Sequence, residues 1–176
     1  SAGELPFVKN LQLLTMKPII YVLNKNEDIA LNKSKAWDGE VISLNVKLEE
    51  EISRLPESEQ AEYIKELGLK QSGLDKLIAA SYKLLGLITY FTTGADESRA
   101  WTIKKGSTAP VAGAAIHNDF KDRFIRADVI FWEKLLEAAS LAEDKDSWSK
   151  ARELGWLRTE GKGYIIKDGD VVEFKI

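Results

Sequence analysis

Residues 18–23, with the sequence PIIYVL, constrain the fold more than any other stretch of the chain. The run is almost continuously apolar, which is typical of a strand that is covered on both faces of a parallel sheet. A polar stretch, DIALNKSKAWDG, and a second short strand, EVISLNV, come after it. A strand, a polar or helical connection and another strand predict a βαβ unit.

Helix signals lie on either side of this unit. Residues 7–16, FVKNLQLLTM, have apolar positions at helical spacing and predict a short helix ahead of the strand. Three further helices are predicted in KLEEEISRL, PESEQAEYIKELGL and SGLDKLIAASYKLLG, the last of them capped by Ser72. Ile78, Tyr82 and Leu85 form an apolar stripe on that last helix, and we expect this stripe to pack in the core.

From Gly86 onward, short strands dominate. The stretches GLITYFTTG, SRAWTIKKG and FIRADVI predict strands, whereas TAPVAGAAIHNDF and FWEKLLEAAS predict helices. The last fourteen residues, GYIIKDGDVVEFKI, predict a hairpin with its turn at Asp168 and Gly169. These elements describe a small α+β module. We therefore place a domain boundary near Gly86, between residues 1–85 and 86–176.

The composition excludes several classes of function. The formal net charge of the 176 residues is −3, so a surface for nucleic acid would have to be a local patch. There is no cysteine, which excludes disulfides, thiol catalysis and cysteine-based zinc sites. No apolar run approaches the roughly 18 residues of a membrane span. We expect a cytoplasmic protein with no membrane partner.

Catalytic and metal-binding residues are not predicted. The single histidine, His117, lacks an organised serine motif and is interpreted as a turn or cap residue. The acidic run at residues 49–51 opens a predicted helix, where carboxylates usually serve the helix dipole and solubility.

A polar tetrad, Asn24-Lys25-Asn26-Glu27, ends the first predicted strand. At the end of a parallel strand, an Asn side chain can offer a donor and an acceptor to the edge of a base. A carboxylate three residues later can accept from a base or ribose donor. The tetrad is the N-K-x-D guanine-reading pattern of GTPases with Glu in place of Asp. On this pattern alone, it is either a base-reading loop or simply the polar end of a strand.

Several longer stretches resemble the carboxyl-terminal half of the YchF family of Obg-related NTPases, which includes the Obg-like ATPases. The most specific are LLGLITYFTTG, RAWTIKKGSTAP, IHNDF and FIRADVI, and the resemblance extends from about Leu13 to Ile176. It implies an α/β remnant of a P-loop NTPase domain in residues 1–85. It also implies that residues 86–176 form an α+β, β-grasp (ubiquitin-like) TGS domain.

The resemblance implies a site for a purine base. Asn24, Lys25 and Glu27 lie in the family's altered base-recognition motif, whose Glu is associated with accepting ATP as well as or better than GTP. Asn45 and Val46 stand in the segment that closes over the base, where relatives usually carry a small Ser or Cys followed by Ala. The intact family protein is expected to bind ATP or GTP with magnesium.

The phosphate cradle G-x-x-x-x-G-K-[ST] is absent from this sequence. The nearest imitation, residues 155–163 (GWLRTEGKG), has the wrong spacing and carries Gly163 in place of the hydroxyl residue. In the family, the cradle and the magnesium-binding switch precede the base-reading strand. We therefore expect them in a missing amino-terminal half, and we expect neither hydrolysis nor tight nucleotide binding by this chain alone.

The TGS resemblance implies contacts with RNA or the ribosome. The candidate phosphate-binding cations are close in sequence and alternate with Phe120 and Phe124; they are Lys104, Lys105, Lys121, Arg123 and Arg126. Three aspartates share the segment, so a solvated mixed-charge face is an open alternative. The alternative function is a β-grasp protein-interaction module that docks partners on its exposed sheet and binds neither nucleotide nor RNA.

Overall fold

The computed structural model describes residues 10–25, 38–94, 97–142 and 146–176. The chain divides into two compact units, Ser1–Leu85 and Gly86–Ile176. The first contains two strands and three α-helices among its described residues, and the second contains a five-stranded sheet and four helices. The fold is therefore a mixture of α and β structure in both units.

The first unit is built around two parallel strands, β1 (Ile20–Asn24) and β2 (Glu40–Leu44). The predicted parallel pairing is confirmed, while most of the connection between the strands, at residues 26–37, lies outside the described residues. Ile42 of β2 is buried, but Val22 of β1 remains 45% exposed. The described elements therefore leave one face of the first strand open, which agrees with the expectation that residues 1–85 alone expose apolar sheet faces.

A single 3₁₀ turn, Leu14–Met16, precedes β1 where the sequence predicted a longer helix. Leu11 and Leu14 are 66% and 84% exposed. A short helix is marginal without tertiary packing, and here the apolar positions are not buried by any described element. Residues 7–9 of the predicted helix lie outside the described residues.

The described part of the first unit also contains three α-helices, and all three were predicted. Asn45 caps the first, and the hydroxyl of Ser72 accepts a hydrogen bond from the Asp75 N–H at 3.0 Å at the start of the third. The second ends just before Gly68, which has a φ of +71°. The helices are α1 (Val46–Arg54), α2 (Glu57–Glu66) and α3 (Gly73–Leu85).

The apolar stripe of α3 does not pack in the core of the first unit, and the expectation that it would was wrong. Ile78, Tyr82 and Leu85 are 49%, 36% and 48% exposed, whereas Ala80 is 7% exposed. Helix α3 lies against β2 through its small residues, which allow a close approach. The larger side chains consequently point away from that contact.

The second unit contains a five-stranded sheet in the order β4-β3-β7-β5-β6. Its strands are β3 (Leu87–Thr93), β4 (Ser98–Lys104), β5 (Arg126–Phe131), β6 (Arg158–Glu160) and β7 (Asp170–Lys175). Strands β3 and β7 run parallel, and the other neighbours are antiparallel. The helices are α4 (Ala109–Gly113), α5 (Asn118–Asp122), α6 (Trp132–Leu141) and α7 (Ser147–Glu153), of which α7 was not predicted.

The two faces of this sheet carry separate apolar clusters. On one face, Tyr90 is fully buried and its hydroxyl donates a hydrogen bond to the Ala112 carbonyl of α4 at 2.9 Å. On the other face, Ile130 and Val171 pack with α6 and α7. Helices therefore lie on both faces of the sheet, and the two ends of its strands are left accessible.

The predicted carboxyl-terminal hairpin is wrong. Strand β7 pairs with β5 and β3 rather than with residues 164–167. The Asp170 carboxylate accepts hydrogen bonds from the Lys167 N–H at 2.8 Å and the Tyr164 hydroxyl at 2.7 Å, which closes the turn through a side chain. Asp168 accepts from the Thr89 N–H at 2.8 Å and holds the same turn against β3.

Candidate functional site

The carboxyl ends of the two parallel strands in the first unit are joined at Asn24 and Lys25, the described part of the predicted base loop. Asn24 is the last residue of β1, and its Oδ1 accepts a hydrogen bond from the Val46 N–H at 3.3 Å. The Lys25 N–H donates to the Leu44 carbonyl at 2.9 Å. Because the carboxyl ends of parallel strands lie at the same edge of a sheet, side chains from two distant stretches meet here.

Asn45 stands between these two stretches and caps α1. Its Oδ1 accepts hydrogen bonds from the Lys47 and Leu48 N–H groups at 3.1 and 3.2 Å. The cap satisfies donors that a helix start leaves unpaired. Four of the five predicted base-site residues, Asn24, Lys25, Asn45 and Val46, are therefore brought together. The fifth, Glu27, lies outside the described residues.

A cleft of about 220 Å³ opens beside this junction. Lys25 and Asn45 line one side, and Leu69, Gln71 and Lys76 line another. Pockets for drug-sized ligands measure roughly 300–1,000 Å³. The cleft is therefore smaller than the usual pocket for a drug-sized ligand.

Glu49 shapes the wall of the cleft and was not predicted as a site residue. Its carboxylate accepts hydrogen bonds from the Gly73 N–H at 2.7 Å and the Leu74 N–H at 3.1 Å. These donors belong to the first turn of α3, so α1 and α3 are joined at the cleft. The acidic run at residues 49–51 was interpreted as serving its own helix, and nothing in its sequence indicates a partner 24 residues away.

The five predicted RNA-binding cations of the second unit do not form one patch. Lys104 pairs with Leu87 at the start of β3. Arg126 pairs with Lys175 at the end of β7. Phe91 of β3 is paired with Val171 of β7, so the start of β3 and the end of β7 lie eight residues apart along the strands. At roughly 3.3 Å per residue, this separation is about 26 Å.

Lys105 follows Lys104 at the first of these ends, and its N–H donates to the Gly86 carbonyl at 2.8 Å. The remaining three cations belong to the other end: Lys121 on α5, Arg123 just after it, and Arg126. The prediction from sequence proximity is wrong for this set of cations. Between residues 105 and 121 the chain passes through α4 and reaches the opposite end of the sheet.

Of the aromatic side chains between these cations, Phe124 is part of the core and Phe120 packs against it. The Phe120 ring centroid lies 5.8 Å from that of Phe174, and Phe124 is 3% exposed. His117 caps α5 by accepting from the Asp119 N–H at 3.3 Å, which confirms its interpretation as a cap. Phe124 is buried and Phe120 is half-buried against Phe174, so neither phenyl ring is an open platform for stacking on bases.

No group of three or more His, Asp or Glu side chains within the described ranges is arranged to hold a metal ion. No helix in the described part of the chain is long and apolar enough to cross a membrane.

Known proteins are similar to this chain along nearly its whole length. The family model YchF-GTPase_C, described as a protein of unknown function (DUF933), matches residues 87–176. The ribosome-binding ATPase YchF of Bacillus subtilis is 44% identical, over 96% of this chain and 47% of its own length. The protein of that name from Escherichia coli O157:H7 is 42% identical, over 99% of this chain and 48% of its own length.

The solved structure of the Schizosaccharomyces pombe YchF GTPase superimposes with a TM-score of 0.78 at 32% identity. It covers 99% of this chain and 48% of its own. The chain belongs to the YchF family, as its motifs predicted. It spans about half the length of the curated relatives it matches.

Proposed function

We propose that this chain is the carboxyl-terminal part of a YchF-type NTPase. Residues 1–85 are a portion of its P-loop NTPase domain and contain a purine-base recognition loop. Residues 86–176 are a TGS domain of the β-grasp type that binds RNA or the ribosome. The hydrogen bond from the Val46 N–H to Asn24 Oδ1 is the observation that carries the nucleotide part of the proposal.

This hydrogen bond orients the side chain of Asn24. With Oδ1 turned towards the Val46 N–H, the side-chain NH₂ is the group that we assign to the ligand. An NH₂ donor suits the N7 acceptor that adenine and guanine share. The loop would then recognise a purine in either ATP or GTP, and Glu27 would have the role implied by the motif, that of accepting from a base or ribose donor.

Hydrolysis is assigned to the intact family protein and not to this chain. Phosphoryl transfer needs a phosphate cradle and magnesium, and the sequence has no G-x-x-x-x-G-K-[ST] motif. Lys25, Asn45 and Val46 would contribute to the base pocket only. We therefore expect weak binding, which depends on the base and gains little from the phosphates.

Binding of adenosine and guanosine at millimolar concentration, observed by NMR, tests the base loop directly. Asn24→Asp retains an oxygen for the Val46 N–H but removes the donor, so it should abolish nucleoside binding without unfolding the chain. Asn118→Ala, an exposed amide on α5, is the matched control. The base loop is rejected if the parent chain binds neither nucleoside, or if Asn24→Asp binds as well as the parent.

For the second unit, the support comes from exposed cations at both ends of its sheet and from relatives whose names describe ribosome binding. A ribosomal partner would place the protein in the cytoplasm. Neutralising phosphates releases counterions, so RNA binding should weaken steeply as salt is added. Titrating labelled ribosomal RNA fragments at several salt concentrations measures this dependence.

A protein-interaction module is the second candidate function for residues 86–176. It is favoured by an apolar cleft of about 350 Å³ between β3 and α6, lined by Phe91, Trp132, Leu135 and Leu136. Leu136 is 62% exposed. An apolar partner held there would be almost insensitive to salt. Replacing Leu136 with Asp would weaken such a complex and leave RNA binding unchanged.

A further inference from the structure

A lysine from the last part of the chain lies beside the turn that follows β4. The Ile166 N–H donates to the Ser107 carbonyl at 3.1 Å, and Ile165 forms an isolated bridge with Thr108. Lys167 is the next residue in the chain. It is therefore a neighbour of the Lys105–Ser107 turn, although about sixty residues separate them in sequence.

We call Lys104, Lys105 and Lys167 the lysine end of the sheet. All three residues are exposed. Within the described residues, Lys105 and Lys167 form no ion pair. Two carboxylates are near Lys167 in sequence. Asp168 Oδ1 accepts from the Thr89 N–H, and the buried Asp170 accepts from the Lys167 N–H and lies 3.6 Å from the Arg158 guanidinium. Both carboxylates therefore have partners other than the ammonium groups of Lys105 and Lys167.

The opposite end of the sheet has a different balance. Its cations are Lys121, Arg123, Arg126 and Lys175, and they share the surface with Asp119, Asp122 and Glu173. Lys175 forms an ion pair with Glu173. Carboxylates among the cations repel phosphates, so this end is a poorer anion site than the lysine end.

We propose that the lysine end is the site at which the second unit binds the phosphate backbone of RNA. The inference rests on the proposed RNA function and adds Lys167, which sequence proximity could not associate with Lys104 and Lys105. The three lysines are proposed to contact the phosphates and not the bases. Binding is consequently indifferent to base sequence.

Fluorescence anisotropy of the full chain with a labelled RNA duplex tests this site. Each phosphate contact contributes about one to the slope of log K against log salt. Lys167→Ala and Lys105→Ala should each reduce that slope by about one and weaken binding roughly three- to tenfold at low salt. Lys167→Arg keeps the charge and should restore binding, while Lys121→Ala at the other end should have no effect.

The outcomes separate the site from the function on which it rests. If the parent chain does not bind the duplex, RNA binding and the lysine end are both rejected. If the parent chain binds and Lys167→Ala binds equally well, or Lys121→Ala loses as much, the lysine end alone is rejected. A circular-dichroism melt of each variant shows that any loss of binding is not a loss of fold.

Discussion

The carboxylate of Glu49 holds the first turn of α3 by accepting from the Gly73 N–H at 2.7 Å and the Leu74 N–H at 3.1 Å. Such N–H groups have no partner within their own helix, and a negative charge there also interacts favourably with the helix dipole. Glu49 lies in the first turn of α1, which begins next to Asn45. Helices α1 and α3 are therefore joined through one side chain.

Glu49→Ala should weaken the start of α3. It leaves two N–H groups without their acceptor, and losing a cap of this kind costs about 1–2 kcal/mol. Hydrogen exchange at Gly73 and Leu74 should accelerate accordingly. Glu50→Ala is the control, since Glu50 forms only an exposed pair with Arg54 and should change little. Equal exchange in both variants would contradict the role of Glu49.

Gly73→Ala should destabilise the first unit by overpacking. A Cβ at this position would lie 2.7 Å from the Leu44 Cβ and 2.8 Å from Glu49 Oε1. Relieving such contacts costs about 1–3 kcal/mol. Urea unfolding, followed by amide NMR signals of residues 40–85, measures the loss. Gly161→Ala, where no atom lies within 4 Å of the added Cβ, should be close to neutral.

Asp170→Ala should strongly destabilise the second unit. Asp170 is 1% exposed and accepts from the Tyr164 hydroxyl and the Lys167 N–H. Removing the carboxylate leaves these donors without their acceptor, at a cost of about 2–3 kcal/mol. Chemical denaturation of the variant and the parent chain measures this loss in the free energy of unfolding. Glu173→Ala, which removes a partly exposed ion pair with Lys175, should cost less than about 1 kcal/mol.

The stability of the second unit should fall between pH 10 and pH 12 through Tyr164. Burial, together with the hydrogen bond to Asp170, raises the pKa of Tyr164 from about 10 to about 12. Between these pH values, the folded state keeps a proton on the Tyr164 hydroxyl that the unfolded state loses. The contribution of Tyr164 to the free energy of unfolding is therefore complete below pH 10 and is lost as the pH rises towards 12. Unfolding free energies of the parent chain should decline more steeply across this range than those of Tyr164→Phe. Parallel curves would show that Tyr164 titrates normally.

Local signals in the sequence determined most of the helices and strands. The apolar run before Asn24 specified β1, and the cap at Ser72 marked the start of α3, because strand propensity and capping act within a few residues. The motifs of residues 86–131 also determined the family. The partners of the base loop were harder to see, since Asn24 and Val46 are 22 residues apart.

Tertiary structure alone decided which of these elements and side chains meet. The sequence suggested that β7 closes a hairpin, but β7 lies between β3 and β5. The turn before β7 is held by side chains, since Asp170 accepts from the Lys167 N–H and Asp168 accepts from the Thr89 N–H. The same topology separated Lys104 from Arg126 and brought Lys167 beside Lys105. Helix and strand propensities depend on near neighbours in the chain. Strand order and clusters of surface charge depend on contacts between residues that are distant in sequence. A single sequence does not encode such contacts as a local pattern.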